Sequence, residues 1–277
     1  MIKIVTESTA DIPAEMAAEL DITIVPSYVV FGLETYRDGI ELTKEQFYEK
    51  LVTTHELPKT AAPPPGVYEE VYRQLSHQGD GIVSIHAAAN LSSLYSVASV
   101  AAKSVSGTPI AVINSEQITM GYGWMAVAAA EAARRGETLE RITAVVEGMK
   151  ERAQVLAILD TLDFVHRGGR VTWAQAMIGT LMRIKPIIGV WRGKVKLVER
   201  ARTQVRSFAR LIDLIQALGP LERAIVLHAN APGEAEHLAD RLQAIAPRWK
   251  RLIGQAGITI ASHTGPGAVG IACITAE

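Results

Sequence analysis

The sequence predicts an α/β protein of two domains: an N-terminal, mostly parallel sheet flanked by helices over residues 1–157, and a smaller mixed α+β domain over 158–277. Three observations carry this. The first half alternates short β-branched runs with helical patterns, which builds a parallel sheet covered on both faces. The second half sets two strand-like runs either side of Arg192-Gly193, a two-residue glycine turn of the hairpin kind. The length, 277 residues, is more than one small core usually absorbs.

Taken in order, residues 2–5 form a strand and Asp11 with Pro13 opens a helix; residues 22–31 are extended. Thr43 with Gln46 three positions on is a capping box for a helix over 44–52. Residues 57–66 hold four prolines and read as irregular. Strand 81–85 leads to a helix near 92–105, and strand 109–114 to one near 119–135. Leu139, Ile142, Val145, Val146 and Met149 recur at helical spacing over 138–152, the helix that ends the first domain. Beyond the hairpin at 187–199 the pattern gives helix 204–218, strand 224–228, helix 232–245 and strands near 258–261 and 268–274.

Composition fits a soluble globular protein: 48% apolar, 21% charged, formal charge -1. The single cysteine, Cys273, forms no intrachain disulfide and no multi-cysteine zinc site, which with an N-terminus too polar for a signal peptide indicates the cytoplasm. The uncharged runs 81–102 and 252–276 carry too many serines, glycines and histidines to span a bilayer, so no membrane insertion is expected. Neither phosphate-loop glycine motif nor histidine pair at metal spacing occurs, so no cofactor and no metal is expected. Charge is split along the chain: residues 1–56 hold eleven acids and four bases, and residues 167–210 eleven bases and one acid, Glu199. The second stretch reads either as a docking face for an acidic or phosphorylated partner or as solvated surface.

In open α/β sheets ligands sit outside the carboxyl ends of the strands. That places Glu7-Ser8-Thr9, residues 86–93, Asn114-Ser115 and 263–267 near any ligand, with Lys59-Thr60 beside them. Ser92 reads either as a helix N-cap or as one of the groups that hold an anion at a helix start. His263, between apparent strands in a glycine-rich loop, reads either as a backbone-satisfied core histidine or as a ligand contact. Thr60 either closes a turn or joins them.

Residues 7–13 (ESTADIP), 35–39 (TYRDG), Lys59-Thr60, Leu91-Ser92, 167–170 (RGGR), 184–186 (IKP) and 263–267 (HTGPG) together resemble the DegV family of bacterial fatty-acid-binding proteins, in family order over nearly the whole chain. The resemblance implies two α/β domains with a long-chain fatty acid such as palmitate or oleate buried between them. Its carboxylate would be held by Thr60, Ser92 and His263, with Ser93 and Thr264 as secondary contacts. It further implies a carrier rather than an enzyme, offering the acid to a fatty-acid kinase for acyl-phosphate formation in phospholipid synthesis; a monomer is expected, and Arg170 and Arg202 of the basic stretch are the candidate docking face, with solvated surface as the alternative. Three positions depart from the family pattern: Glu7 for aspartate, Ala61 for serine, Ser93 for glycine. The alternative is a serine-dependent acyl ester hydrolase with Ser92 as nucleophile, His263 as base and Glu7 as its orienter, although Leu91-Ser92-Ser93 is no nucleophile elbow. A nucleic-acid module is disfavoured by the near-zero net charge.

Overall fold

The computed structural model describes residues 1–54, 57–171 and 184–277. Its first sheet has the strand order β2-β1-β6-β7, with β1 (Ile2–Glu7), β2 (Ile22–Val25), β6 (Gly81–His86) and β7 (Ile110–Asn114) all parallel. Every residue of β6 is buried, as an interior strand covered on both faces requires. Helices α3 (Pro65–Ser76) and α4 (Leu94–Lys103) cover one face through Tyr68, Tyr72, Ala98 and Ala101. Helices α5 (Met120–Arg134) and α6 (Leu139–Met149) cover the other.

The second sheet is mixed and six-stranded, in the order β10-β9-β8-β13-β11-β12. The predicted hairpin is present: β9 (Lys185–Trp191) and β10 (Lys194–Ala201) pair antiparallel around Arg192 and Gly193, both at positive φ as such a turn demands. Strands β8 (Ala153–Ile158), β11 (Leu221–His228), β12 (Ile253–Gln255) and β13 (Val269–Thr275) complete it. Residue 158, the expected start of the second domain, is the last residue of β8. The helices at 204–217 and 232–245 pack on its outer face through Phe208, Leu211, Leu238 and Leu242.

Helix α5 lies between the two sheets, which explains its composition. Thirteen of its residues are buried, so it shows no polar face. A Cβ on Gly121 would lie 2.7 Å from Val155 of β8, and one on Gly123 would lie 2.6 Å from the Ala10 carbonyl. Bare backbone is what lets the helix touch both walls.

Two expectations are corrected. Residues 59–61 of the proline-rich segment are regular: β5 (Lys59–Ala61) pairs antiparallel with β3 (Tyr28–Phe31), which also pairs with β4 (Glu34–Arg37). Prolines flank this short edge strand instead of interrupting it, and Pro65 sits in the first turn of α3, where its missing N–H costs nothing. Residues 258–261 are no strand. They begin a short helix, Ile258–Thr264, so His263 stands on a helix and not in a loop. Alanine, serine and threonine tolerate either state, and the glycines that suggested a loop lie just beyond, Gly265 being the C-cap at φ 73. The described helices after α6 are α7 (Asp163–Arg167), α8 (Gln204–Ala217), α9 (Pro232–Ile245) and α10 (Ile258–Thr264).

Candidate functional site

Between the two sheets lies a cavity of about 990 Å3, its mouth included. The first sheet contributes Thr9 from the end of β1, Ala87 from the end of β6, and Leu91 to Leu94 leading into α4. The second half contributes Val165, Ile188, Val195 and α10 residues. A narrower apolar space of about 520 Å3 shares Ile118, Thr119, Ile188, Ile260 and Thr264 with it and continues over Ala157, Leu227 and Gly270 of the second sheet. The two adjoin through these shared residues: the first gathers the hydroxyls, His263 and Arg170, and the second is lined almost wholly by apolar groups.

Thr60, Ser92, Ser93, His263, Thr264 and Arg170, all singled out from sequence, line this one cavity. Arg202 does not; it is exposed between β10 and α8. Arg170 is the one charged residue among the described lining residues, and its guanidinium donates to the Gly168 carbonyl at 2.8 Å.

Thr60 Oγ1 lies 2.9 Å from His263 Nε2. Burial, and secondarily the charge of Arg170, pushes the His263 pKa down to about 4, so the ring is neutral at pH 7. Its Nδ1 is buried without a partner among the described residues, against Gly168, where a Cβ would come within 2.6 Å. A buried N–H without an acceptor is rarer and costlier than a bare lone pair. The proton therefore sits on Nε2 and is donated to Thr60, which leaves the threonine hydroxyl proton to point at the cavity.

Ser92 is not the helix cap; that position is Ser93, whose side chain makes no capping bond. Ser92 Oγ accepts only a 3.4 Å contact from the Leu94 N–H, a weak bond that leaves its own proton for a ligand. Sequence reasoning overlooked Ser27. It lines the cavity, its hydroxyl is buried and without a partner among the described residues, and its backbone N–H donates to Ser8 Oγ at 3.0 Å. Ser27 follows a proline in an extended stretch, so no local pattern marks it.

The hydrolase grouping is not assembled. Glu7 belongs to a separate, wholly buried network: its carboxylate pairs with His86 Nδ1 at 2.7 Å and accepts from the Ala87 N–H at 2.8 Å and the Tyr122 hydroxyl at 2.9 Å. His86 Nε2 in turn meets Ser84 Oγ at 2.7 Å, and Tyr72 donates to that serine. A serine, a histidine and a carboxylate do align here, in the closed core behind the cavity wall, while His263 is engaged by Thr60.

The model of the DegV family, described as uncharacterised proteins, matches residues 1–276. This chain belongs to the DegV family. Protein DegV of Bacillus subtilis is 35% identical over 274 residues, covering 98% of both chains. The crystal structure of that Bacillus subtilis protein, described as fatty acid binding, superposes with a TM-score of 0.91 over 99% of each chain. A DegV family protein from Thermus thermophilus, likewise described by its fatty acid binding, superposes with a TM-score of 0.92 at 30% identity, again over 99% of each chain. The parallel sheet flanked by helices and the mixed sheet are thus the architecture of a DegV-family chain.

Proposed function

We propose that this chain binds a long-chain fatty acid in the interdomain cavity, its carboxylate at Thr60, Ser92 and His263, and presents it to a fatty-acid kinase. The observation that carries the reading is the pair of adjoining spaces, one lined almost wholly by apolar groups and the other carrying hydroxyls and a neutral histidine, in a chain similar to two proteins described as fatty acid binding. Such a division of labour is the usual form of a lipid pocket. Each buried methylene contributes about 0.8 kcal/mol, so the tail supplies most of the affinity, and the head group needs only enough hydrogen bonds to offset desolvation.

The hydroxyls of Thr60 and Ser92 supply donors where the Ala61 departure removes one, and Ser27 offers another. No cation is required at the carboxylate, which suits an acid that a second protein must reach and phosphorylate. Ser93 and Thr264, which line the same cavity, serve in this reading as secondary contacts. Arg170 at the mouth and Arg202 beyond it mark the face turned to the kinase. In this reading the chain is a monomeric cytoplasmic carrier that needs no cofactor and feeds acyl phosphate to phospholipid synthesis.

Native mass spectrometry of the purified protein, followed by denaturing extraction, tests the first step. One fatty acid per chain, released on denaturation, is the expected result and names the preferred tail. A protein that is empty and takes up neither palmitate nor oleate overturns the reading.

A further inference from the structure

Two carboxylates behind the cavity wall join its two sides. Asp11, at φ 53, accepts the Thr119 hydroxyl on Oδ2 at 2.5 Å and the Gly257 N–H on Oδ1 at 2.7 Å. Asp38 accepts the Ser8 hydroxyl at 3.0 Å and the Thr259 hydroxyl at 2.7 Å, both on Oδ2. Each therefore has one bond within the N-terminal half and one to the start of α10. That helix carries Ile260, His263 and Thr264 to the cavity, and Thr119 lines it too.

Two further features show that this contact is built. A Cβ on Gly257 would lie 2.7 Å from Asp11 Oδ1, so only glycine lets the carboxylate reach the backbone there. Thr119 sits at φ 47, ψ -147, a conformation that a β-branched residue keeps only when its surroundings impose it; the Asp11 bond on its side chain and the Tyr122 and Gly123 N–H groups on its carbonyl hold it there. Among the described residues neither carboxylate has a salt-bridge partner.

We propose that Asp11 and Asp38 are positioning residues of the ligand site: a clasp that closes α10 against the first sheet and sets how long the cavity keeps its occupant. The identity of that occupant rests on the fatty-acid reading; the clasp itself does not.

Burial pushes Asp11 up from its ordinary 3.8 to about 7, against the opposing pull of Thr119, Gly257 and Lys44, and Asp38 is raised for the same reason. The charged or titratable groups facing the pair are each other, Asp38 helping to raise Asp11, with Lys44 and Tyr48 on α2 (Lys44–Thr53) and Tyr122 on α5; Lys44 also helps burial lower the pKa of His228 at the end of β11. Lys44 itself donates to the Gln255 carbonyl. Opening the clasp would hydrate both carboxylates and return them to ordinary acidity, so the closed form binds protons more tightly than the open one. By linkage the closed form is favoured at low pH and loses that advantage as pH rises through about 7.

The test measures release of bound cis-parinaric acid, chased with excess oleate, at pH 6 and pH 8. Release from the wild-type protein should be several-fold faster at pH 8. The Asp11→Asn/Asp38→Asn double variant, whose amide oxygens still accept from Gly257 and Thr259 while the new amide nitrogen at position 11 donates to Thr119 Oγ1 as the protonated acid would, should release slowly at both. Asp11→Ala, which loses both bonds of one arm, should release fast at both. Equal pH ratios in the wild type and the double variant overturn the proposal. Hydrogen exchange of the 257–264 segment in ligand-free protein, corrected for intrinsic rates, reads the clasp independently: protection should fall from pH 6 to pH 8 in the wild type alone. Failure to bind parinarate with that exchange pattern intact overturns the fatty-acid reading and supports the clasp. Binding with pH-independent exchange overturns the clasp alone.

Discussion

Thr60 and His263 stand 203 positions apart and meet at 2.9 Å, which makes the head-group end a product of long-range folding. A hydrogen bond to a charged group is worth roughly 1.5–3 kcal/mol. Thr60→Val and Ser92→Ala should each weaken oleate binding by about ten-fold to a hundred-fold, read by titration calorimetry, with thermal melting little changed. Ser27→Ala should act in the same direction; unaltered affinity would remove Ser27 from the head-group site. His263 carries a pH consequence as well. Its folded pKa, pushed from 6.5 to about 4, lies below that of the unfolded chain. Its stabilisation is therefore complete above pH 6.5 and is lost as pH falls toward 4. Denaturant midpoints of the wild type and His263→Gln should converge over that window; parallel curves would show that the ring is not held neutral.

Helix α5 and the turn after α7 owe their places to backbone that side chains would exclude. A methyl at residue 121 would lie 2.7 Å from Val155, and one at 168 would lie 2.6 Å from His263 Nδ1. Gly121→Ala should cost about 1–3 kcal/mol, the ordinary penalty of overpacking, visible as a lower urea midpoint. Gly168→Ala should in addition weaken fatty-acid binding, because the displaced atom belongs to His263. Helix α2 shows the opposite case, an element written locally: Thr43 and Gln46 form the full capping box, Thr43 Oγ1 accepting from the Gln46 N–H at 3.2 Å and Gln46 Oε1 from the Thr43 N–H at 3.0 Å. Thr43→Ala should cost about 0.5–2 kcal/mol with no change in ligand affinity.

At the scale of the whole molecule, the basic stretch 167–210 is partly neutralised by pairing: Lys185 with Asp160, Arg192 with Glu151, Arg210 with Glu199 and Asp213. Arg183 lies outside the described residues. Arg202→Glu, away from the cavity, should slow phosphorylation of bound acid by the kinase while native mass spectrometry still finds the acid in place. Normal phosphorylation would remove this residue from the docking face. The α/β alternation of the first sheet, the hairpin at Arg192-Gly193 and the capped helix α2 were legible because each is set by neighbours within a few positions: strand alternation, a two-residue turn, a side chain bonding the next turn. The polar end of the cavity was legible only through motifs whose order resembled a family. Ser27, the strand at 59–61 and the helix at 258–264 were not legible at all. A three-residue edge strand has no period to read, and a seven-residue helix of small residues is chosen by what packs on it. The sequence alone determined which segments are strands or helices wherever local preference is strong, and which residue types are available to hold a carboxylate. Only tertiary structure decided that Thr60, Ser92 and His263 face one cavity while Glu7 turns to His86, because those choices depend on contacts between segments distant in the chain, where burial and hydrogen-bond geometry outweigh local propensity.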